Sequence, residues 1–401
     1  MKILLVADGR SPITRGWVEA ILPLGFKVSL VSTYPCQPIE PVPLEAVLPV
    51  AFSSLGGSQV NTLSPAAGNR NKIHLANLRP IFHKLRYYLG PLTLPFFSSR
   101  FRNLISAIKP DLVHALRIPF EGMLAAGLPD GMPLLISTWG NDLTLHAHGS
   151  CLMKIQTRRV LTRADGFCSD TRRDIRLARE WGLKPDCPTL VTPGNGGLDL
   201  QEIKSRLKIP PQETDFLSGH HPIIINPRGF RPGSVHQDVF FQSIPAVVGE
   251  FPDAIFLCPS MQGQGEAMRQ VMALGIEKNV RLLPYLSQAE LWNLYRQAQV
   301  YVSLSSHDGT PNTLLEAMAF GCLPVCGDIE SIREWITDGQ NGLLVNPRDA
   351  NAAGRAIRKA CQDQALQEKA KKQNFEIIHA RADVHINRQA MGTFYHTFLL
   401  E

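Results

Sequence analysis

The sequence predicts an α/β protein built from two doubly wound, Rossmann-like parallel sheets in series. Three observations lead there. The chain of 401 residues is longer than one hydrophobic core usually serves, so two domains are expected. Short apolar runs of strand character alternate with helical patterns along the whole length, which is how βαβ units, and hence parallel sheets, read in sequence. The alternation also falls into two similar blocks, parted by the stretch "PGNGGLDLQEIKSRLKIPPQETDFLSGHHP" at 193–222.

In the first block the expected strands are "KILLVAD" (2–8), "KVSLVS" (27–32), "LVHAL" (112–116), "PLLISTW" (133–139), "GFCSD" (166–170) and "TLVTPG" (189–194). In the second they are "PIIINP" (222–227), "AIFLCPS" (254–260), "VRLLPY" (280–285), "VYVSLS" (300–305), "LPVCGD" (323–328) and "GLLVNP" (342–347). Two domains are expected, residues 1–195 and residues 196–380, together with a closing helix within 381–401 expected to pack back on the first domain. The Gly/Ser/Asn-rich stretch 53–71 reads as a long mobile loop.

Composition narrows the class. Hydrophobic residues make up 44% of the chain and charged residues 19%, as in an ordinary globular protein. Eight cysteines are scattered without a neighbouring Cys/His pair at zinc spacing, which suits reduced thiols in a cytoplasmic protein. The opening "MKILLVADGR" has too short an apolar run for a signal peptide, and no stretch approaches the ~20 apolar residues of a membrane span. Residues 1–195 hold 22 Lys+Arg against 13 Asp+Glu, leaving 19 against 22 for the remainder. The basic first half fits an anionic membrane surface or a polyanionic substrate; no nucleic-acid-binding module appears, so nucleic acid is not an expected partner. Residues 71–97 interleave Lys72, Arg79, Lys84 and Arg86 with apolar residues. That pattern suits either an interfacial helix at the inner face of the plasma membrane or a core helix with a solvated basic face.

Ligands of doubly wound sheets bind beyond the carboxyl ends of the strands. The loops after Ala7, Thr138, Pro227, Pro284, Ser305 and Gly327 therefore surround the expected cleft. Neither half has G-x-G-x-x-G spacing or a Walker A lysine loop, which disfavours a dehydrogenase and an ATPase. The most informative loop is "SLSSHDGTPNTLLEAMAFG" at 303–321. Thr310 before Pro311 reads as a helix N-cap with proline at the first helical position, and Gly321 as the stop. On a helix over 311–320, Asn312, Thr313 and Glu316 share one arc while Leu314, Leu315, Ala317, Met318 and Ala319 fill most of the rest. Glu316 is then buried and needs a partner. With Thr310 as cap, Asp308 is spare, and the N–H groups near Gly309 to Asn312 make a site for an anion or a hydroxyl. Taken alone, the same residues also fit a capping Asp and an internally paired Glu.

In order along the chain, "SPITRGWVEAILPLGFKVSLVS" (11–32), "KPDLVHALR" (109–117), "STWGNDL" (137–143), "VTPGNGGLDL" (191–200), "INPRGFRPG" (225–233) and the long run 280–349 resemble glycosyltransferase family 4. Those are retaining nucleotide-sugar transferases of GT-B fold, and the resemblance is most specific over 280–349. It implies two Rossmann-like domains facing each other across a cleft, the first for the acceptor and the second for the donor. The family's Glu-x7-Glu element falls on Asp308 and Glu316. This implies Glu316 as the ligand of the donor ribose, and Asp308 with the turn Gly309, Thr310, Pro311 and Asn312 as the part that orients the transferred sugar. Asp308 is one methylene shorter than the family's first Glu.

Arg228 stands where the family has its phosphate arginine. The companion lysine is absent, with Gly at 233, leaving Arg231 or His236 as substitutes. Tyr285 and Leu286 match the stretch that contacts the nucleotide base, although Tyr285 also fits plain core packing. On the acceptor side Trp139-Gly140-Asn141-Asp142 replaces a His-Gly-x-Asp motif, so no catalytic histidine is assigned. Asp142, as a catalytic or acceptor-orienting acid, and Asn141 remain candidates there, with a helix cap as the alternative for Asp142. Arg15 and Gly16 fall in the first loop, near acceptor and diphosphate. His114 matches a family histidine that is either functional or structural.

The resemblance implies retaining transfer of a hexose, of glucose type, from a UDP-sugar to a polysaccharide or lipid-linked saccharide. The departing phosphate helps take the acceptor proton, so no metal or other cofactor is expected. A nucleotide-sugar epimerase on the same scaffold and a non-catalytic sugar-nucleotide binding protein are the alternatives. The latter follows from the missing lysine, the Asp at 308 and the absent histidine.

Overall fold

The computed structural model describes residues 1–53, 86–129, 131–212, 214–231 and 233–398. Two compact units form, one of Met1–Gly197 with Asn387–Glu401 and the other of Leu198–Ile386. Residues 54–71 of the expected mobile loop, and 71–85 of the basic segment with Lys72, Arg79 and Lys84, lie outside the described residues.

The first unit is organised on a seven-stranded parallel sheet. Its strands are β1 (Lys2–Ala7), β2 (Lys27–Ser32), β3 (Leu44–Val47), β4 (Leu112–Ala115), β5 (Leu134–Thr138), β6 (Gly166–Ser169) and β7 (Thr189–Val191). Their order is β3-β2-β1-β4-β5-β6-β7. Ile3 to Ala7 are buried on both faces of the sheet, which is why β1 reads as a continuous apolar run and not as an alternation. Six of the seven strands were expected. The exception, β3, is a short, half-exposed edge strand hemmed by Pro41, Pro43 and Pro49, so its local chemistry reads as loop.

Helix α1 (Pro12–Ile21) is started by the Ser11 hydroxyl, which accepts from the Ile13 N–H at 3.2 Å. Helices α2 (Leu94–Ile108), α3 (Cys151–Arg163) and α4 (Arg172–Glu180) follow. In the described end of the basic segment, Tyr88, Leu92 and Phe96 are exposed, Phe96 at 83%. The guanidinium of Arg86 lies over the Tyr34 and Phe120 rings, at 5.2 and 4.6 Å from their centroids.

The second unit carries a six-stranded parallel sheet of β8 (Ile223–Ile225), β9 (Ile255–Cys258), β10 (Val280–Leu282), β11 (Val300–Ser303), β12 (Leu323–Gly327) and β13 (Leu343–Val345). The order is β10-β9-β8-β11-β12-β13, so the strand sequence reverses between β8 and β11. Register there pairs Val300 with Ile224 and Tyr301 with Ile225. A reversal of this kind leaves a crevice beyond the carboxyl ends of its two strands. Around it stand α5 (Gln237–Val248), α6 (Gln288–Tyr295) and α7 (Asn312–Ala319).

The chain leaves the second unit through α8 (Gln364–Ala382) and α9 (Val384–His396). Where 195 and 380 were the expected boundaries, the units divide at 197/198 and 386/387. Leu198 decides this locally: its N–H donates to Ala382 O at 2.7 Å and its carbonyl accepts from Val384 N at 2.9 Å. Beyond that point α9 is held to the first unit by polar bonds. The Tyr395 hydroxyl accepts from Trp17 Nε1 at 3.0 Å and bonds His114 Nδ1 at 2.7 Å, while His114 Nε2 meets Ser137 Oγ at 2.8 Å. Burial pushes the His114 pKa down to about 3, so this ring is neutral and structural.

Candidate active site

The crevice at β8 and β11 gathers three charged groups of the second unit, Arg228, Asp308 and Glu316, two of them buried. Beyond β8 the chain turns at Asn226, Pro227 and Arg228, and two buried amides close that turn. Asn226 Nδ2 donates to Gln237 Oε1 at 2.8 Å, Gln237 Nε2 donates to Gly229 O at 2.6 Å, and the Arg228 N–H donates to Asn226 Oδ1 at 3.2 Å. Gly229 supplies the left-handed residue the turn requires, at φ +62°. Arg228 is thereby aimed at the loop beyond β11. Its Nη2 is paired with Asp308 Oδ2, and its Nη1 reaches Thr313 Oγ1 at 3.3 Å. Thr313 in turn bonds the Tyr301 hydroxyl at 3.2 Å. Burial works most strongly against the Arg228 cation, but Asp308 together with Tyr301, Tyr295 and Cys326 outweighs it, and the Arg228 pKa lies above its ordinary value.

Thr310 does not cap α7, contrary to the sequence expectation. Its hydroxyl accepts from Trp335 Nε1 at 2.9 Å, and the cap position is taken by Pro311 in extended conformation, with no side-chain bond. The helix therefore begins at Asn312, one residue later than expected. The N–H groups of Asn312 and Thr313 have no acceptor among the described residues. A helix start left open beside a buried arginine is suited to an anion. Gly309 N–H donates to Asp308 Oδ1 at 3.2 Å, and the Ser331 hydroxyl holds Asp308 O at 2.8 Å.

Glu316 sits one turn further along α7, 6% exposed. Gln288 Nε2 donates to its Oε1 at 3.0 Å. Burial pushes the Glu316 pKa up, against Gln288 and, more weakly, the Trp292 indole, whose N–H stays outside hydrogen-bond geometry. The Tyr295 hydroxyl is also buried with no partner among the described residues. Leu286 packs against the core, whereas Tyr285 is 57% exposed, so the core-packing reading of Tyr285 does not hold. The Pro284 carbonyl before it accepts from the N–H of Ser260, a left-handed residue at φ +62°. Arg231 is exposed, and the like charge of Arg228 lowers its pKa. His236 precedes α5 with a buried Nε2 that lacks a partner among the described residues.

In the first unit Asp142 takes neither expected role. It is fully buried and its carboxylate is used internally, accepting from Arg117 Nε at 2.8 Å and from the N–H groups of Ile118 and Trp139 at 3.2 Å each. Burial raises its pKa and Arg117 opposes the rise. With these donors around it, Asp142 ties the loops after β4 and β5 together and presents no oxygen to a hydroxyl outside. Asn141 is half-buried beside it, its Oδ1 without a partner among the described residues. Gly16 is required by packing: a Cβ there would lie 2.8 Å from Asn195 O. Arg15 is exposed on α1. Glu121, on the loop after β4, is buried and accepts from the Thr33 hydroxyl at 2.7 Å; burial pushes it up to about 7, against Arg117. Among the described residues no group of three or more His, Cys, Asp or Glu could hold a metal ion, and no helix is long and apolar enough to cross a membrane.

Sequence reasoning did not foresee the Arg228–Asp308 pair, the Asn226–Gln237 clamp or Gln288. The arc shared by Asn312, Thr313 and Glu316 was the one available signal, since Thr313 meets Arg228 and Glu316 meets Gln288.

A profile described as Glycosyl transferase 4-like domain matches residues 9–194, and one described as Glycosyl transferases group 1 matches residues 247–376. The chain belongs to the family 4 glycosyltransferases. This family member is similar to two proteins named GDP-mannose:cellobiosyl-diphosphopolyprenol alpha-mannosyltransferase. The one from Xanthomonas campestris is 31% identical over 264 residues, and the one from Xanthomonas oryzae pv. oryzae 24% over 264. Each match takes in 64% of this chain and 66% of the relative, so the chain spans just under two thirds of their length. Among solved structures, Anabaena HepE in complex with UDP superposes with a TM-score of 0.69, covering 99% of this chain and 100% of that one at 13% identity. That likeness shows the fold, GT-B.

Proposed function

We infer that this chain is a retaining hexosyltransferase whose nucleotide-sugar donor binds at the β8/β11 crevice, and whose acceptor is a lipid-diphosphate-linked saccharide. The observation that carries the reading is one crevice holding a buried arginine, an uncapped helix start and a buried carboxylate one turn along that helix. Arg228 and the open N–H groups of Asn312 and Thr313 suit the diphosphate, whose negative charge grows as the sugar leaves. Glu316 suits the two hydroxyls of a ribose, and Asp308 the hydroxyls of the sugar. Arg228, Asp308 and Glu316, with Gly309 to Asn312, Tyr285 and Leu286 around them, are thus the proposed donor residues.

The donor is proposed as GDP-mannose, where the sequence suggested a UDP-hexose. The names of the Xanthomonas relatives support this choice, as they support a prenyl diphosphate on the acceptor. The test is turnover of GDP-mannose and UDP-glucose with a prenyl-diphosphate disaccharide, the product's anomeric configuration being read by NMR. Mannosyl product of retained configuration is expected. Product from UDP-glucose alone would move the donor back to UDP. New nucleotide sugar formed without acceptor, or binding with no turnover, would refute transfer. Peripheral contact with an anionic membrane is proposed on the exposed Tyr88, Leu92 and Phe96, near the exposed Arg100 and Arg102. Sedimentation with phosphatidylglycerol vesicles, lost in Phe96→Asp, is the expected result; retention by the variant would refute it.

A further inference from the structure

The guanidinium of Arg228 is not an open cation. Asp308 sits on it, Nη2 to Oδ2, and the two side chains are 8% and 16% exposed. Little water is left between such charges to screen them, so a second anion brought to the same guanidinium feels Asp308 strongly. The remaining donors of Arg228 are the ones that anion would meet. Nη1 reaches the Thr313 hydroxyl, and Nε is buried with no acceptor among the described residues. Asp308 is itself fixed in place, through Gly309 N–H on Oδ1 and the Ser331 hydroxyl on its backbone oxygen. An incoming diphosphate therefore shares its arginine with a carboxylate already held by Arg228 and by the Gly309 N–H.

We propose that Asp308 is the built-in counter-ion of Arg228, and that it makes this site prefer a diphosphate still carrying its sugar over the free nucleoside diphosphate left after transfer. A bare diphosphate brings only negative charge towards Asp308. A sugar-bearing one brings hydroxyl groups next to the phosphate, and these donate to the carboxylate and offset the repulsion. When the sugar has gone the compensation goes with it, and the nucleotide leaves an arginine already satisfied by Asp308. The inference rests on the donor-site reading above and adds to it a selectivity and release role for one side chain.

The test titrates the full chain calorimetrically with inorganic pyrophosphate, GDP and UDP, and with GDP-mannose and UDP-glucose. Wild type is compared with Asp308→Asn, which keeps the shape and removes the charge, and with Arg228→Ala. Asp308→Asn is expected to bind pyrophosphate and the free diphosphate about tenfold more tightly, a gain of about 1.4 kcal/mol. Its affinity for the sugar-bearing donor is expected to stay level or fall, and inhibition by the nucleotide product to rise in proportion. Asp308→Ala should shift the same ratio in the same direction, which guards against an effect peculiar to the asparagine. Equal changes for free and sugar-bearing diphosphate, or weaker pyrophosphate binding, would overturn the counter-ion role while leaving the donor site standing. Pyrophosphate and nucleotide affinities untouched in Arg228→Ala would overturn the donor-site reading, and this inference with it.

Discussion

Glu316→Gln separates what this carboxylate costs the fold from what it contributes to binding. Burial holds the Glu316 pKa above its ordinary value. A carboxyl raised in this way loses stability for the protein as pH climbs from the ordinary value through the folded one, because the unfolded chain sheds its proton first. At pH 7.5 the charged form is therefore a cost, which the neutral amide removes; the Gln288 bond at 3.0 Å survives, since the amide oxygen still accepts. The variant is expected to melt no lower than wild type at pH 7.5, with its advantage fading towards pH 4. Binding should move the other way. A charged carboxylate contributes about 1.5–3 kcal/mol per hydrogen bond and a neutral amide oxygen about 0.5–1.5. Two ribose hydroxyls, one of them still accepted by the amide, put the loss at about 2–4 kcal/mol, or roughly 30- to 1000-fold. The assay is calorimetric titration with GDP and UDP and their 2′,3′-dideoxy analogues. Wild type should lose affinity for the dideoxy forms, and the variant should lose little more. Wild-type affinity in Glu316→Gln, or full additivity of the two losses, would refute a ribose contact.

Three further outcomes are expected. Arg228→Ala should lower kcat about 100-fold, more than it lowers donor affinity, because its charge counts most as the phosphate leaves; steady-state kinetics showing equal losses would argue against that role. Tyr395→Phe removes the group that Trp17 Nε1 and His114 Nδ1 both bond, costing about 2 kcal/mol and roughly 4–8 °C in the calorimetric transition of the first unit. An unchanged transition would mean that α9 is held by its apolar contacts alone. Glu121→Gln should raise Tm at pH 8 and not at pH 4.5, because a carboxyl held up to about 7 destabilises progressively as pH rises over that interval. A gain independent of pH would refute charge burial as its cause.

The strands were legible because parallel strands buried on both faces must be apolar throughout, so runs such as "KILLVAD" declare themselves without knowledge of their neighbours. β3 escaped because an edge strand lacks that demand. Thr310 before Pro311 offered a good local cap, and the structure spends that hydroxyl on Trp335, 25 residues away. Asp142 shows the same limit: a short motif cannot reveal that Arg117 and two backbone N–H groups converge on its carboxylate.

By itself the sequence determined the two-sheet architecture, and its resemblance to the family 4 glycosyltransferases pointed to the family and to Arg228, Asp308 and Glu316 as candidate donor residues. The architecture follows from periodicity, and the resemblance rests on motifs that are likewise local stretches of the chain. Only the tertiary structure decided that the reversal of strand order between β8 and β11 brings Arg228 onto Asp308 across 80 residues. It also decided that Glu316 answers to Gln288 and that the start of α7 is left uncapped. Partners of a buried charge are chosen by which loops share an end of the sheet, and strand order, which no short stretch of sequence encodes, sets that choice.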